Sequence, residues 1–124
     1  TPLMFVIISE LRTHGTEDER RIRLSQIIRC LSDAGADLNQ RDKYGNHPLD
    51  VCLSHYSFMS FELLVREYSI NPCHTRSFQR AVYLNVPPRI TLWAIQIYIS
   101  HVRCTDRLYS HNEFHIAVEE FDDN

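Results

Sequence analysis

The sequence predicts an all-α fold, because signals that end one helix and start the next follow each other closely. Apolar residues recur at helical spacing before Gly35, which suits the left-handed position that closes a helix. These residues are Leu24, Ile27, Ile28 and Leu31. Residues 42–46 then contain turn-forming side chains, with Gly45 able to adopt positive φ, and Pro48 fits the first position of a new helix. Residues 33–53 therefore predict a helix, a hairpin and a second helix.

The flanking segments extend this pattern in both directions. The helix that begins at Pro48 is expected to end near His55, and apolar residues at helical spacing in 58–65 predict its partner helix. Residues 12–23 are polar, and we interpret them as an insertion between two helices that partly extends the second. After Val86-Pro-Pro, residues 90–99 predict a helix that is apolar on most of its circumference, which we expect to be buried on both sides, with Trp93 in the core.

Two short motifs connect these helices to a known family. Residues 34–39 are Ala-Gly-Ala-Asp-Leu-Asn, and residues 42–49 are Asp-Lys-Tyr-Gly-Asn-His-Pro-Leu. This order resembles the ankyrin repeat, in which G-A-x-V-N ends one unit of about 33 residues and D-x-x-G-x-T-P-L opens the next. His47 replaces the usual Thr and Asp50 the usual His, and we expect both side chains to keep a polar group at the helix start.

The resemblance implies an all-α ankyrin-repeat solenoid of stacked helix-turn-helix units joined by hairpins or turns, as a single domain over residues 1–124. Segments similar to the family's T-P-L-H-x-A signature begin at Thr1, His47, Arg76 and Asn112. The predicted units are a partial first repeat (1–41, with the polar insertion 12–23), a second repeat (42–73), a degenerate third repeat (74–106) and a partial fourth repeat (107–124). Because the chain opens at a first helix, we expect residues upstream of Thr1.

Ankyrin repeats usually bind other proteins through the concave face formed by hairpins and first helices, and the resemblance implies the same here. The matching positions are Arg41, Lys43, Tyr44, Asn46, Ser54 and His55. Tyr44 and Arg41 are the expected anchors, since aromatic and Arg side chains dominate binding hot spots. Alternatively, Tyr44 leans on the next hairpin. The third and fourth hairpins offer a further set, which is Arg76, Tyr83, Arg107 and Tyr109.

Other functions remain open at this point. The array could be the targeting or substrate-recruiting segment of a larger enzyme or effector, for example a ubiquitin-ligase-associated or host-directed protein, or it could consist of purely structural stacking repeats. Zinc ligation is one alternative to ordinary capping and packing for His101, Cys104, His111 and His115. We prefer capping and packing, and we expect no catalytic residue, metal or cofactor. With three glycines in the chain, no phosphate-binding glycine loop can form.

Composition limits the partners and the compartment. Lys and Arg number 13 against 16 Asp and Glu, and a net charge of −3 argues against nucleic acid. No apolar run reaches the roughly 18 residues of a membrane span. Four cysteines lie about one unit apart, a spacing that favours reduced, packed thiols. We therefore expect a cytoplasmic or nuclear protein, in the host cytosol if its source is a pathogen, whose partner is another protein or further repeats of the same polypeptide.

Overall fold

The structure is a computed structural model that describes residues 1–12 and 14–105. This part of the chain forms six α-helices and no β-strand, which confirms the predicted all-α class. The helices are α1 (Pro2–Ser9), α2 (Glu17–Asp33), α3 (Pro48–Ser54), α4 (Phe58–Arg66), α5 (Ser77–Tyr83) and α6 (Pro88–Thr105), with a 3₁₀ turn at Glu10–Arg12 after α1. The predicted partial fourth repeat, residues 107–124, lies outside the described residues.

The six helices form three consecutive pairs arranged in two layers. Each odd-numbered helix contacts the even-numbered helix that follows it. Helix α3 lies between α1 and α5, and α4 lies between α2 and α6. We call α1, α3 and α5 the first-helix layer and α2, α4 and α6 the second-helix layer. Stacked helix pairs of this kind bury one continuous core between the layers.

The first helices of two consecutive pairs begin in the same way. In α1 the Thr1 hydroxyl oxygen accepts a hydrogen bond from the Met4 N–H at 3.1 Å, and in α3 the His47 Nδ1 accepts from the Leu49 N–H at 3.0 Å. A proline occupies the first helical position after each cap. Each cap satisfies an N–H group that would otherwise have no partner at the helix start.

Helices α3 and α5 also end in the same way. Tyr56 and Asn85 follow them in the left-handed conformation, with φ of 58° and 59°. Immediately afterwards, the N–H groups of Ser57 and Val86 donate to the carbonyl oxygens five residues earlier at 2.8 and 2.9 Å. This is the hydrogen bond of a Schellman motif, which terminates a helix and redirects the chain. The two pairs are therefore variants of one local design.

The core lies where the two layers meet. Phe61, Leu49 and Leu64 are 1% exposed or less, and Ile7 and Ile28 from the first pair are fully buried. Burying an aliphatic or aromatic side chain of this size contributes about 1.5–3 kcal/mol relative to leaving it in water. The middle pair, α3 and α4, supplies most of the fully buried side chains because it has a neighbouring pair on each side.

A buried carboxylate joins the first pair to the second. Glu10 is 7% exposed, and its Oε1 accepts hydrogen bonds from the N–H and the hydroxyl of Ser60 at 2.8 and 2.6 Å. The hydroxyl of Ser57 donates to the carbonyl of Ile7 at 2.8 Å. Ser57 is the N-cap residue of α4, but its side chain makes no capping hydrogen bond there. The Glu10 carboxylate instead accepts the N–H at the start of α4. Removal of this carboxylate would leave buried donors without a partner.

The latter part of the polar segment 12–23 belongs to the second helix of the first pair. Helix α2 begins at Glu17, and the Thr16 hydroxyl oxygen accepts from the Glu19 N–H at 3.2 Å. Three acidic residues occupy its first turn, where they interact favourably with the helix dipole. Residues 17–23 of this polar segment are therefore helical.

Helix α6 differs from the expectation that it would be buried on both sides. Ala94 and Tyr98 pack into the core, but Leu92 is 56% exposed, so that expectation is wrong for the outward face. Trp93 does pack against the core. The centre of its ring lies 4.5 Å from the centre of the Phe58 ring and 5.9 Å from the centre of the Phe61 ring. Among the described residues, no helix has the length and apolar content required to cross a membrane.

Candidate protein-binding face

The hairpin before α3 is held by the carboxylate of Asp42. Its Oδ1 accepts from the N–H groups of Tyr44 and Asn46, both at 2.9 Å, and Oδ2 accepts from the Asn46 side-chain amide at 3.2 Å. The backbone closes the same turn, since the Gly45 N–H donates to the Asp42 carbonyl at 3.0 Å. The hydrogen bond from the Asn46 backbone N–H is the main cause that lowers the pKa of Asp42, so the carboxylate is ionised at neutral pH. The hairpin tip is thus a defined turn that presents Lys43 and Tyr44.

Gly45 adopts φ of +83° at this tip, as the sequence predicts, and no atom lies near the position of an added Cβ. Substituting Gly45→Ala therefore tests backbone strain without steric overlap. We expect the free energy of unfolding to fall by about 1–2 kcal/mol, because a left-handed conformation disfavours any L side chain. Urea denaturation monitored by circular dichroism measures this change. Lys43→Ala in the same turn is the control and is expected to change stability by less than about 0.5 kcal/mol; equal effects of the two substitutions would contradict this role for Gly45.

The start of α3 uses both residues that depart from the ankyrin signature. The Asp50 Oδ2 accepts from the His47 N–H at 2.8 Å, while the His47 Nδ1 accepts from the Leu49 N–H, forming a capping box. The other ring nitrogen, Nε2, lies 2.9 Å from Oδ1 of Asn39. Because Nδ1 accepts, Nε2 carries the proton and donates to Asn39. The expectation that both residues place a polar group at the helix start is confirmed.

The environment of His47 keeps its imidazole neutral. The side chain is 2% exposed, and burial is the main cause that lowers its pKa from 6.5 to about 4. The positive charge of Arg41 lowers the pKa further, whereas the charges of Asp50 and Asp37 raise it. His47 therefore serves as a neutral cap rather than as a general base at neutral pH.

Two of the predicted binding residues, Arg41 and Asn46, are engaged within the chain. Arg41 donates to the carbonyl oxygens of Gly45 and Thr75 at 2.9 and 3.0 Å, which connects the hairpin to the following turn. The Asn46 Oδ1 accepts from the guanidinium of Arg80 at 2.6 Å. Both residues therefore stabilise the face, and a contact of either with a partner stays a prediction.

Asp50 lies beneath these contacts. Its side chain is fully buried, with Oδ2 3.0 Å from Nε of Arg80 and 3.9 Å from the nearer terminal nitrogen of Arg41. The Nε of Arg80 makes no hydrogen bond despite this short distance, so its interaction with Asp50 is an ion pair without aligned N–H geometry. Asp50 thus ties the start of α3 to α5. Sequence reasoning did not identify Arg80, because no local motif marks a partner 30 positions away.

The other predicted residues are exposed. Tyr44 is 72% exposed, with Nζ of Lys43 5.1 Å from the centre of its ring, and Ser54 and His55 are exposed at the end of α3. Tyr44 therefore has most of its ring available for contact. Lys43 and Tyr44 precede the start of α3, whereas Ser54 and His55 lie at its end.

Equivalent positions of the three first helices share this exposure. The seventh residues of α1, α3 and α5 are Ile8, Ser54 and Tyr83, and all three are exposed, Ile8 at 40% and Tyr83 at 79%. Because the helices lie side by side, these positions form a row across the layer. We define the first-helix face as this row together with His55 and the tip residues Lys43 and Tyr44.

Two other apolar side chains of the first helices, Phe5 and Val82, are exposed for a different reason. Phe5 is the fourth residue of α1 and is 74% exposed, whereas Val51, the fourth residue of α3, is 9% exposed. Likewise, Val82 is exposed at the sixth position of α5, whereas Leu53 is buried at the sixth position of α3. Among the described helices, α1 and α5 each have one neighbour in their layer, while α3 has two. Phe5 and Val82 therefore lie at the two edges of the described stack, not on the first-helix face.

The candidate zinc ligands fall only partly within the described residues. Across residues 1–12 and 14–105, no group of three or more His, Cys, Asp or Glu is placed to hold a metal ion. Of the zinc ligands considered above, His101 lies in α6 and its pKa is lowered, first by burial. The side chain of Cys104 and residues His111 and His115 lie outside the described residues, as do Arg107 and Tyr109 of the predicted fourth hairpin.

Comparison of the chain with models of known protein families, with curated proteins and with solved structures finds no match. The function is therefore inferred from the site itself.

Proposed function

We propose that this chain is an array of ankyrin repeats that binds another protein through the first-helix face and acts by binding alone. The observation that carries the proposal is the row of exposed seventh positions on three adjacent helices, together with the exposed aromatic residue at the tip of the hairpin before α3. Tyr44 and Tyr83 are large, have few rotatable bonds and carry one polar group each, which are properties of residues that anchor protein interfaces.

The internal repetition supports the ankyrin part of the proposal. Helices α1 and α3 share a capped start with proline at the first position, and α3 and α5 share a Schellman ending. The hairpin before α3 is closed by Asp42 and Gly45, two residues of the family-like D-x-x-G segment.

The double substitution Tyr44→Ala/Tyr83→Ala is expected to weaken partner binding by about 2 kcal/mol or more, or roughly 30-fold in Kd, without unfolding the protein. Both side chains are mostly exposed, so their loss removes little buried surface from the fold. Crosslinking pull-down from cell lysate identifies proteins captured by the parent chain, and titration with the purified partner then measures Kd. Circular dichroism verifies that both proteins are folded.

Ile22→Ala is the matched control, because Ile22 is an exposed apolar residue on α2 in the other layer. A partner that is captured equally by the parent and by Ile22→Ala, and lost with the double variant, supports the proposal. A partner lost with Ile22→Ala but retained by the double variant would place binding on the second-helix layer and contradict it.

A second candidate function is structural stacking against further repeats, and the exposure of Phe5 and Val82 favours it. These residues occupy positions that the middle pair buries against its neighbours. Under this alternative, captured proteins are lost with Phe5→Ser and retained by Tyr44→Ala/Tyr83→Ala. The same pull-down therefore separates the two candidates. Recruitment of a substrate to a larger enzyme would use the first-helix face in the same way as simple binding.

A further inference from the structure

A polar cleft lies between α2 and the end of α4, on the second-helix layer. Its volume is about 370 Å³, which falls within the range of pockets that hold small ligands. Six polar side chains line it, and they are Ser25, Arg29, Ser32, Asp33, Glu67 and Tyr68. We call it the α2–α4 cleft. These residues do not belong to the first-helix face, so the cleft is a separate candidate site.

The backbone beside the cleft is fixed at the ends of two helices. After α2, the N–H of Ala36 donates to the carbonyl of Leu31 at 2.9 Å, and after α4 the N–H of Ile70 donates to the carbonyl of Leu64 at 3.1 Å. These bonds end the two helices and redirect the chain. The carbonyl groups at a helix C-terminus carry a partial negative charge. Two such ends therefore favour a cation in the cleft.

Each of these helix ends also carries a carboxylate. Asp33 is the last residue of α2, Glu67 is the C-cap of α4, and both are exposed. Neither forms an ion pair within the part of the chain that the structure describes. The last turn of α2 has no basic residue, and Arg66 at the end of α4 pairs with Glu62 instead. Since a helix C-terminus disfavours a carboxylate, this arrangement costs stability until a cation binds.

The other groups of the cleft orient these carboxylates without neutralising them. The Ser25 hydroxyl donates to Oε2 of Glu67 at 3.4 Å, and the ring of Tyr68 packs against the core. Burial is the main cause that raises the pKa of Tyr68, and the charges of Glu67 and Asp33 raise it further. Arg29 lowers this pKa through its charge and a hydrogen bond. The Tyr68 hydroxyl thus lies near all three charged groups, which are one cation and two carboxylates.

We propose that the α2–α4 cleft is a binding site for a guanidinium group, held between the carboxylates of Asp33 and Glu67. A guanidinium presents five N–H donors in one plane and is more weakly hydrated than an ammonium, so it suits carboxylates that come from two helices. The arginine side chain of another polypeptide and a free guanidinium compound both have this chemistry. The site is independent of the proposed function.

Titration of the ¹⁵N-labelled chain with blocked arginine, Nα-acetyl-L-arginine methylamide, tests the inference. The side chain carries the only charge of this probe. We expect saturable changes in the amide chemical shifts of the cleft residues, with a Kd of about 1–10 mM, because a small probe makes few contacts. Blocked citrulline, in which a neutral urea replaces the guanidinium, should produce no saturable change. Equal binding of the two probes would overturn the proposal.

Neutral variants test the assignment of the carboxylates. Asp33→Asn/Glu67→Gln removes both charges with little change in shape, and the affinity for blocked arginine should fall about fivefold or more. Glu17→Gln/Asp18→Asn changes the net charge equally at the start of α2, and Glu17 lies roughly 24 Å along the helix from Asp33. This control should bind blocked arginine like the parent chain. An equal loss in both variants would show an effect of net charge alone and would overturn the assignment.

Thermal unfolding distinguishes a binding role of the carboxylates from a structural one. Neutralising Asp33 and Glu67 should leave the Tm unchanged or raise it, because both carboxylates lie at helix C-termini. The control Glu17→Gln/Asp18→Asn should lower the Tm, because its carboxylates lie at a helix N-terminus. A cleft variant that loses more stability than the control would show that the carboxylates serve the fold, and would overturn the proposal.

Two further probes identify the source of the guanidinium. Free L-arginine has an α-carboxylate that can pair with Arg29, so a Kd about tenfold lower than that of blocked arginine supports the site and indicates a small-molecule ligand. Equal affinities support the side chain of a polypeptide. Tighter binding of blocked lysine than of blocked arginine would overturn the choice of guanidinium. Tyr44→Ala/Tyr83→Ala should bind blocked arginine like the parent chain, so failure of the first-helix face leaves this inference intact.

Discussion

Asp50→Ala is expected to lower the free energy of unfolding by about 3 kcal/mol, because a buried ion pair loses one partner. The Asp50 carboxylate accepts the His47 N–H at the start of α3 and lies 3.0 Å from Nε of Arg80. Its removal leaves the buried N–H of His47 without an acceptor and the positive charge of Arg80 without its counter-ion. The side chain of Arg80 is 28% exposed, so partial hydration keeps the expected loss near the lower end of the range for buried pairs.

Urea denaturation at pH 7 measures this loss, and Asp50→Asn divides it into two parts. The amide retains an oxygen that can accept the His47 N–H, but it carries no charge, so an intermediate loss is expected. A double-mutant cycle with Arg80→Ala isolates the ion pair, for which we expect a coupling energy of about 1 kcal/mol or more. Additive effects of the two substitutions would contradict the inference that Asp50 and Arg80 stabilise each other.

Local signals in the sequence predicted much of the helical framework. Pro48 and Gly45 constrain only their own backbone and that of adjacent residues. The structure places Pro48 at a first helical position and Gly45 at positive φ, as expected. The polar character of His47 and Asp50 at the helix start was predictable for the same reason, since a cap involves residues within one turn.

Contacts between distant segments could not be predicted in this way. The bond from Arg41 to Thr75 and the pair of Asp50 with Arg80 each connect residues 30 or more positions apart, and no periodic pattern encodes them. Arg76 occupies a left-handed position with φ of 59°, where the sequence has no glycine to mark a turn. The exposure of Leu92 depends on what lies beside α6, which the apolar periodicity of α6 itself does not specify.

The same distinction applies to the candidate site. Resemblance to a family indicated the face, and most of the residues it predicted are exposed there. It did not distinguish Tyr44, whose ring faces outward, from Arg41 and Asn46, whose polar groups are used within the fold. The row formed by Ile8, Ser54 and Tyr83 emerged only when equivalent helical positions were compared in three dimensions.

Acidification from pH 7 to about pH 4 is expected to destabilise the protein through His47 by up to about 3 kcal/mol. Burial lowers the pKa of His47 in the folded protein from 6.5 to about 4. Between these two values the unfolded chain binds a proton that the folded protein does not bind, so stability must fall as the pH decreases. The contribution of His47 is fully present above pH 6.5 and is lost progressively toward pH 4. Protonation of Nδ1 would also place a donor against the N–H of Leu49.

His47→Thr separates this effect from the titration of carboxylates. A threonine hydroxyl can accept the N–H hydrogen bond of a helix cap but does not titrate in this range, so the variant retains the cap and loses the proton linkage. The measurement is the free energy of unfolding at intervals between pH 7 and pH 4.5 for both proteins. We expect the parent curve to fall more steeply, with the difference developing below pH 6.5, because carboxylates such as Asp42 affect both proteins alike. Parallel curves would mean that His47 binds its proton equally in the folded and unfolded states, and that burial at the start of α3 does not hold the imidazole neutral.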